Sequence, residues 1–288
     1  MELLQLKYFC DAAKTQNFSK TAKNFSVPPS DISRTIQRLE KELEVSLFDR
    51  GANRLSLNDS GKAFYERIKK ALCEIENAKA ELYDEGAASG EIKIYISTNR
   101  RVITSVIERF KKRFPQVSFV IKHIWESDDN DFDLLVADDF TFFPNQDRKL
   151  ILTEEIVLAM SRDFPGGDKI KSIDDLKNVR FITMQEQSSN YRVMKKLCYD
   201  HGFEPNIAIQ TDDPSYVRKY IELGMGVSFV PRLSWQGMFS ENVILKQITD
   251  FKRNTYLYVN KEKYLSKSAR CFLEELIEYS EEIKQPGV

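Results

Sequence analysis

Five polar side chains share one arc of a short helical segment. With residues 29–43 set 100° apart, Ser30, Arg34, Gln37, Arg38 and Lys41 lie opposite Ile32, Ile36, Leu39 and Leu43. The apolar four must face a core, which leaves the polar five in solvent. Their types matter: arginine, lysine and glutamine are long donors able to reach base edges and phosphates in a major groove about 12 Å wide. A charged run on a helix is about as often just a solvated face, so the surrounding elements decide.

Those elements form a recognisable scaffold. Leu6, Phe9, Cys10 and Ala13 repeat at i, i+3, i+4 and i+7, one apolar stripe of a first helix. A second helix is expected to open near Ser19 as N-cap and to turn Ala22 and Phe25 inward. Val27-Pro28-Pro29 then breaks the chain, because proline is excluded from a helix interior but accepted in its first turn. The third helix carries the polar arc. After it, Leu47-Phe48 and Leu55, Leu57 flank the polar, glycine-containing run 50–54, which reads as a short hairpin wing with Arg50 and Arg54 placed for phosphates. This arrangement predicts a winged helix-turn-helix with double-stranded DNA as its partner. Residues 1–58 hold nine Lys or Arg against seven Asp or Glu, so the basic face comes from arrangement rather than bulk charge.

From 61 to about 85 the pattern narrows. Phe64, Ile68, Ala71, Ile75, Ala78 and Leu82 are spaced 4, 3, 4, 3, 4, the heptad seam of a coiled coil, and such a seam requires a partner helix. It predicts a dimerising helix, with packing on its own domain as the competing reading, and the run 86–90, rich in Gly, Ala and Ser, reads as the hinge after it. Beyond 90, short strand-like runs at 92–96, 118–124, 134–137, 156–160, 180–184, 207–210, 227–230 and 256–259 alternate with helical stretches at 101–113, 189–201, 214–223 and 267–283. Alternation of this kind predicts an α/β unit with parallel sheets and a ligand at the carboxyl ends of strands. The turn Ser97-Thr98-Asn99-Arg100-Arg101 joins the first of these strands to its helix, where free N–H groups favour an anion; Thr98 or Asn99 acting only as a helix cap is the competing reading.

Composition sets the outer limits. The 288 residues are 42% apolar and 30% charged, with a formal charge of −1, which describes a globular chain of two or three compact units. No basic-apolar leader opens it and no run reaches the ~20 apolar residues of a membrane span, so a cytoplasmic protein is expected. The four cysteines, Cys10, Cys73, Cys198 and Cys271, form no CxxC pair and read as reduced thiols. The aspartates 128, 129, 131, 133, 138 and 139 lack the spacing of a calcium loop and read as a solvated stretch, so no metal is expected. With two histidines, no HExxH, no GxSxG, no phosphate-binding glycine loop, and a Gly224-Met225-Gly226 without its third glycine, an enzyme has little to build on and no cofactor is expected.

Taken together, Leu6, Phe9, Ala13, Phe18-Ser19, Ala22, Val27, Ser33, Ile36, Leu39-Glu40, Leu43, Leu47-Phe48, Arg50, Leu57 and Gly61 give a chain that resembles the LysR-type transcription regulators, and Val227-Ser228-Phe229-Val230-Pro231 resembles their glycine-preceded strand ending in proline. The resemblance implies a winged helix-turn-helix over 1–60, with Ser33 joining the DNA-binding set. A linker helix and hinge would span 61–90, and a two-lobed effector domain similar to periplasmic binding proteins 91–288. It implies lobe 1 at about 91–161 and 264–288, lobe 2 at about 162–263, with crossovers near 160–163 and 260–263. It further implies a homodimer or homotetramer and a small-molecule effector between the lobes, a carboxylate meeting Ser97, Thr98, Asn99 and Arg100 on one side, with Gln185, Gln187, Ser188 and Phe229 on the other.

Three positions depart from the family pattern. Pro28-Pro29-Ser30 stands where Ser-Gln-Pro is common, Glu44 stands where a glycine usually ends the recognition helix, and 125–132 is too short for the usual helix there. Two further readings differ in class. One is a solute-binding module with a non-functional DNA head. The other is an enzyme with a fused helical domain.

Overall fold

The computed structural model describes residues 1–50, 55–84, 88–123, 131–141 and 147–283. The chain divides into two compact units, Met1–Glu85 with Glu262–Tyr264, and Gly86–Lys261 with Leu265–Val288.

In the first unit α1 (Leu3–Thr15), α2 (Phe18–Asn24) and α3 (Pro29–Leu43) surround a core in which Phe9, Ala12, Ile32, Ile36 and Leu39 are fully buried. The second helix starts earlier than expected. Asn17 caps it, its side chain accepting from Lys20 N at 3.0 Å, and Ser19 lies inside the first turn. Strands β1 (Phe48–Arg50) and β2 (Leu55–Leu57) pair antiparallel as the wing, whose tip, with Arg54, lies outside the described residues. Helix α4 (Asp59–Tyr83) follows, its 25 residues spanning roughly 37 Å. Gly61 is obligatory at its start: a Cβ there would stand 2.0 Å from Leu47 O. Glu262–Tyr264 lies along the far end of α4, where Cys73 Sγ and Asn77 Nδ2 donate to Glu262 O and Tyr264 OH donates to Asp84.

The second unit has two lobes. In lobe 1, β3 (Gly90–Ile96) lies between β4 (Val117–Lys122) and β5 (Leu134–Asp138), all parallel, with α5 (Arg100–Arg113) and α8 (Lys267–Glu282) packed against them. Buried Glu275 of α8 binds Arg109 and Arg113 of α5, at 2.5 and 2.7 Å. Lobe 2 contains β7 (Arg180–Met184) parallel to β8 (Asn206–Thr211), with α6 (Ser189–Asp200), α7 (Pro214–Glu222), β9 (Ser228–Pro231) and β10 (Val243–Lys246). Gly226 lets β9 lie close to β7, since a Cβ would meet Arg180 O at 2.6 Å.

Parallel sheets are therefore only part of the architecture. Two long strands, β6 (Arg148–Ser161) and β11 (Lys252–Val259), run antiparallel to each other through both lobes; β11 pairs with β5, while β6 pairs with β9 and β10, all antiparallel. The strand 243–246, too short and irregular in pattern to stand out in the sequence, is the edge of this sheet. The crossovers also lie elsewhere than expected. Ile151 and Leu257 belong to the lobe 1 core, whereas Ile156 and Phe251 belong to that of lobe 2, so the passages fall at 152–155 and 252–256. One continuous strand serves both lobes, and nothing local in its sequence marks the transfer.

Candidate functional site

Helix α3 presents the predicted arc. Ser30, Arg34, Gln37, Arg38 and Lys41 are exposed and Ser33 is half-buried, while Ile32, Ile36 and Leu39 on the opposite face have no exposure. Pro29 supplies the first helical residue, preset in φ and needing no N–H partner. The helix ends at Glu44, which takes the left-handed conformation (φ 55°) that its family position usually gives to glycine. Glu40 ties this helix to the wing, its carboxylate accepting from Leu47 N and Phe48 N at 2.8 and 3.2 Å. Arg50 closes β1, beside the wing tip.

The heptad residues of α4 divide into two groups. Phe64 and Ile68 pack into the head's own core beside Phe9, which Phe64 meets at 5.2 Å between ring centroids. Ala71, Ile75, Ala78 and Leu82 are exposed, Ile75 at 38% and Leu82 at 75%. Spacing alone cannot separate the two groups, because the same seam serves the head at one end and stands in solvent at the other.

Between the lobes lies a cavity of about 210 Å³. The β3–α5 turn supplies Ser97, Thr98, Asn99, Arg100 and Arg101; from lobe 2 come Ser188, Ser189 and Asn190 at the start of α6, and Met184, Pro214, Arg218, Trp235 and Met238. Of the residues expected here, Ser97, Thr98, Asn99, Arg100 and Ser188 border it. Gln185 and Gln187 do not; both are exposed on the turn before α6. Phe229 does not either: it stacks on Phe181 at 6.0 Å inside the lobe 2 core, 1% exposed. The reason is that β9 is buried along its whole length, so no side of it is left to wall the cleft.

Neither Thr98 nor Asn99 caps α5 with its side chain. Asn99 holds the cap position of α5 in the left-handed conformation (φ 56°), yet its amide donates to Thr255 Oγ1 and its carbonyl accepts from Ser234 Oγ, leaving the first turn of α5 without a side-chain partner. Ser234 N donates to Glu154 at 2.8 Å, the single hydroxyl proton of Ser234 lies between Asn99 and the Glu154 oxygen 2.7 Å from Oγ, and Glu154 pairs with Arg253, whose Nη1 donates to Ser189 Oγ at 3.1 Å. This buried chain joins lobe 1, both crossover strands and lobe 2, and the sequence pattern does not reveal most of it. Only Arg253-Asn254-Thr255, directly ahead of the aromatic and apolar run 256–259, is a visible sign.

The rim is cationic. Arg218 lies over the Trp235 ring at 5.3 Å, and Arg101 crosses the cleft to donate to Gln236 O. Partial burial pulls the pKa of Arg100 below its ordinary value, against the attraction of Asp213. Asp213 itself is held below the usual carboxylate range, chiefly by hydrogen bonds from Ser215 and further by Arg218 and Arg100. Beyond Trp235 a larger cavity of about 540 Å³ runs between β6, β10 and the turn 232–240. Arg232 and Glu155 in its lining satisfy each other at 3.0 Å, which leaves little net charge to attract an ion. Of the acidic stretch, Asp128 and Asp129 lie outside the described residues; of the others, Asp131 pairs with Lys93, Asp133 accepts from Lys93 N, and Asp139 accepts from Asn254.

Residues 3–62 match the bacterial regulatory helix-turn-helix of the lysR family, and residues 85–281 match the LysR substrate binding domain. The chain belongs to the LysR family of transcription regulators. Among its LysR relatives is the transcriptional dual regulator GltC of Bacillus subtilis, 29% identical with 99% of each chain covered. A full-length OxyR variant from Pseudomonas aeruginosa shares the fold with a TM-score of 0.66 at 18% identity, covering 97% of this chain and 94% of that one. Full-length CbnR in complex with its target DNA does so with a TM-score of 0.60 at 22% identity, covering 98% and 99%. This LysR chain is thus a DNA-binding transcription regulator with a substrate-binding domain, and among its described residues no helix is long and apolar enough to cross a membrane.

Proposed function

We propose that this LysR regulator reads an operator with α3 and answers to a small anion held between its lobes. The observation that carries the first half is the division of α3 into a fully buried apolar face and an exposed face of Ser30, Arg34, Gln37, Arg38 and Lys41, with Ser33 at its border. These side chains contact base edges and phosphates, while Arg50 and Arg54 of the wing hold the backbone. The solved complex of CbnR with its target DNA supports the same use of the fold.

The second half rests on the cavity. Ser97, Thr98, Arg100 and Ser188 meet the effector there, and Asn99 acts through the chain of hydrogen bonds behind it. A ligand touching both lobes favours one arrangement of them, and it shifts DNA binding by no more than its preference between arrangements. Ala71, Ile75, Ala78 and Leu82, exposed at heptad spacing, join two chains, so that paired heads span two half-sites. The protein acts in the cytoplasm, without catalysis.

Selection of binding sites from a random duplex pool with the full chain, followed by gel-shift titration at fixed salt, tests the reading. Enrichment of an inverted repeat whose affinity falls with rising salt supports it; binding without sequence preference refutes it.

A further inference from the structure

The first turn of α3 is Pro29, Ser30, Asp31 and Ile32. A proline side chain neither donates nor accepts, and Ile32 is fully buried, so Ser30 and Asp31 are the two side chains of that turn able to hydrogen-bond outward. Ser30 is exposed and Asp31 half-buried. At 100° per residue Asp31 stands about 20° from Arg38 and about 60° from Arg34, on the flank of the polar arc. A recognition helix enters the major groove with its N-terminal residues at the base edges, so this turn is where a side chain as short as aspartate reaches a base.

An acid at this place has a definite consequence. The acids of α3 are Asp31, Glu40 and Glu42. Glu40 accepts from Leu47 N and Phe48 N, and Glu42 pairs with the N-terminal amine of Met1 at 2.5 Å, so both are engaged within the head. The Asp31 carboxylate has no hydrogen bond or ion pair among the described residues; its backbone N–H donates to Pro28 O at 3.0 Å. Set against phosphates, a negative charge weakens binding to every duplex. It is favoured only where a donor faces it. In the major groove guanine shows two acceptors, thymine an acceptor and a methyl group, adenine an acceptor beside its amino group, and cytosine its amino group alone. An ionised carboxylate only accepts. Guanine and thymine therefore repel it, adenine matches it by half, and cytosine matches it fully.

We infer that Asp31 is a specificity-determining residue whose carboxylate accepts from the N4 amino group of a cytosine in each operator half-site. The inference rests on the reading of α3 as the helix that enters the groove, and it adds a residue outside the polar arc together with the base that this residue selects. Asp31 acts chiefly by exclusion. A duplex that presents an acceptor at this position leaves the carboxylate desolvated and unpaired, and specificity built on such unfavourable contacts need not raise affinity for the correct site.

The test compares the full wild-type chain with Asp31→Asn and Asp31→Ala, by selection from a random duplex pool and then by gel-shift titration at fixed salt. The wild type is expected to select cytosine at one position of each half-site, and replacement of that C·G pair by T·A to weaken its binding about tenfold or more. Asparagine pairs with adenine through N6 and N7, so Asp31→Asn should move the preference at that position, and only there, from cytosine to adenine. Asp31→Ala should lose most of the preference and bind unrelated duplex more tightly than the wild type, because a repelling charge is gone. A role confined to the helix dipole, which favours an acid in any first turn, would lower the unfolding temperature of the head in both variants and leave base preference alone. Selection of the same base at every position by all three proteins, or an equal cost of the T·A replacement to the wild type and Asp31→Ala, overturns the inference. The two readings fail separately. If the wild type selects an operator that Arg34→Ala binds more weakly while the Asp31 variants select the same sequence, α3 reads DNA and the role given to Asp31 is wrong; if the wild type selects no sequence, the reading of α3 fails and the inference falls with it.

Discussion

The guanidinium of Arg253 meets the carboxylate of Glu154 at 2.5 Å between the two strands that connect the lobes, and both residues are almost wholly buried. Arg253 lies on β11 and Glu154 on β6, where the strands pair as Arg253 opposite Glu154. Two charges removed from water in this way are tolerated because each also holds neutral partners: Ser189 for the arginine, and the N–H of Ser234 for the glutamate. The pair thus sets the spacing of the strands at the place where the lobes divide.

Breaking this pair from one side is expected to cost about 3–5 kcal/mol, since Glu154→Leu leaves an uncompensated guanidinium in the interior. The double variant Glu154→Leu, Arg253→Met should recover much of that loss. Calorimetric unfolding of the full chain checks both; equal destabilisation by the single and double variants would mean that the charges do not act as a pair.

The two ends of the heptad seam should respond differently to the same substitution. Ile68 is 8% exposed within the head core and Ile75 is 38% exposed on α4. Ile68→Asp is therefore expected to unfold the head at a cost of several kcal/mol, whereas Ile75→Asp keeps the head folded and weakens assembly. Far-UV circular dichroism and sedimentation velocity distinguish the two. Unchanged assembly in Ile75→Asp would remove the exposed half of α4 from the dimer contact.

Arg34 stands at the centre of the exposed arc of α3. Arg34→Ala is expected to cost about 1–3 kcal/mol on a selected operator and much less on unrelated duplex, the pattern of a bidentate base contact. Gel-shift titration on both duplexes at one salt concentration gives the ratio. An equal loss on both would assign Arg34 to the phosphates.

Glu44 holds its place at the end of α3 with a left-handed backbone (φ 55°). The left-handed region costs a side-chain-bearing residue about 1–2 kcal/mol, and glycine loses about 0.5–1 kcal/mol more freedom on folding, so Glu44→Gly should raise stability by about 0.5–1 kcal/mol. The head transition in a thermal melt should move upward. A downward shift would show that the Glu44 side chain contributes more than its backbone costs.

The thiols are expected to be slow. Burial pushes Cys198 up to about 12 and Cys10 up to about 11, so neither is appreciably a thiolate near neutral pH. Ellman's reagent should modify neither in the folded chain at neutral pH and both after denaturation. Fast reaction of Cys198 in the folded chain would show that its burial does not protect it.

Where function depends on one helix, the sequence by itself was nearly enough. The spacing of Ile32, Ile36 and Leu39 determines which face of α3 is buried, because a helix maps sequence separation directly onto direction, and the opposite arc then holds the residues proposed to read DNA. The wing strands and the reach of α4 follow from equally local signals, turn residues and an unbroken 3.5-residue period. Only the tertiary structure decided the rest. The seam of α4 is apolar throughout, and Phe64 and Ile68 turn into the head simply because α1 lies beside them. The short run Phe229-Val230-Pro231 of β9 shows no alternation, so its sequence does not say that both faces are covered and that Phe229 belongs to a core. The cavity is the furthest from local reading. Thr98, Glu154, Asn190, Ser234 and Arg253 sit on five separate elements or turns, and they meet only because two antiparallel strands pass through both lobes and bring those segments to one place.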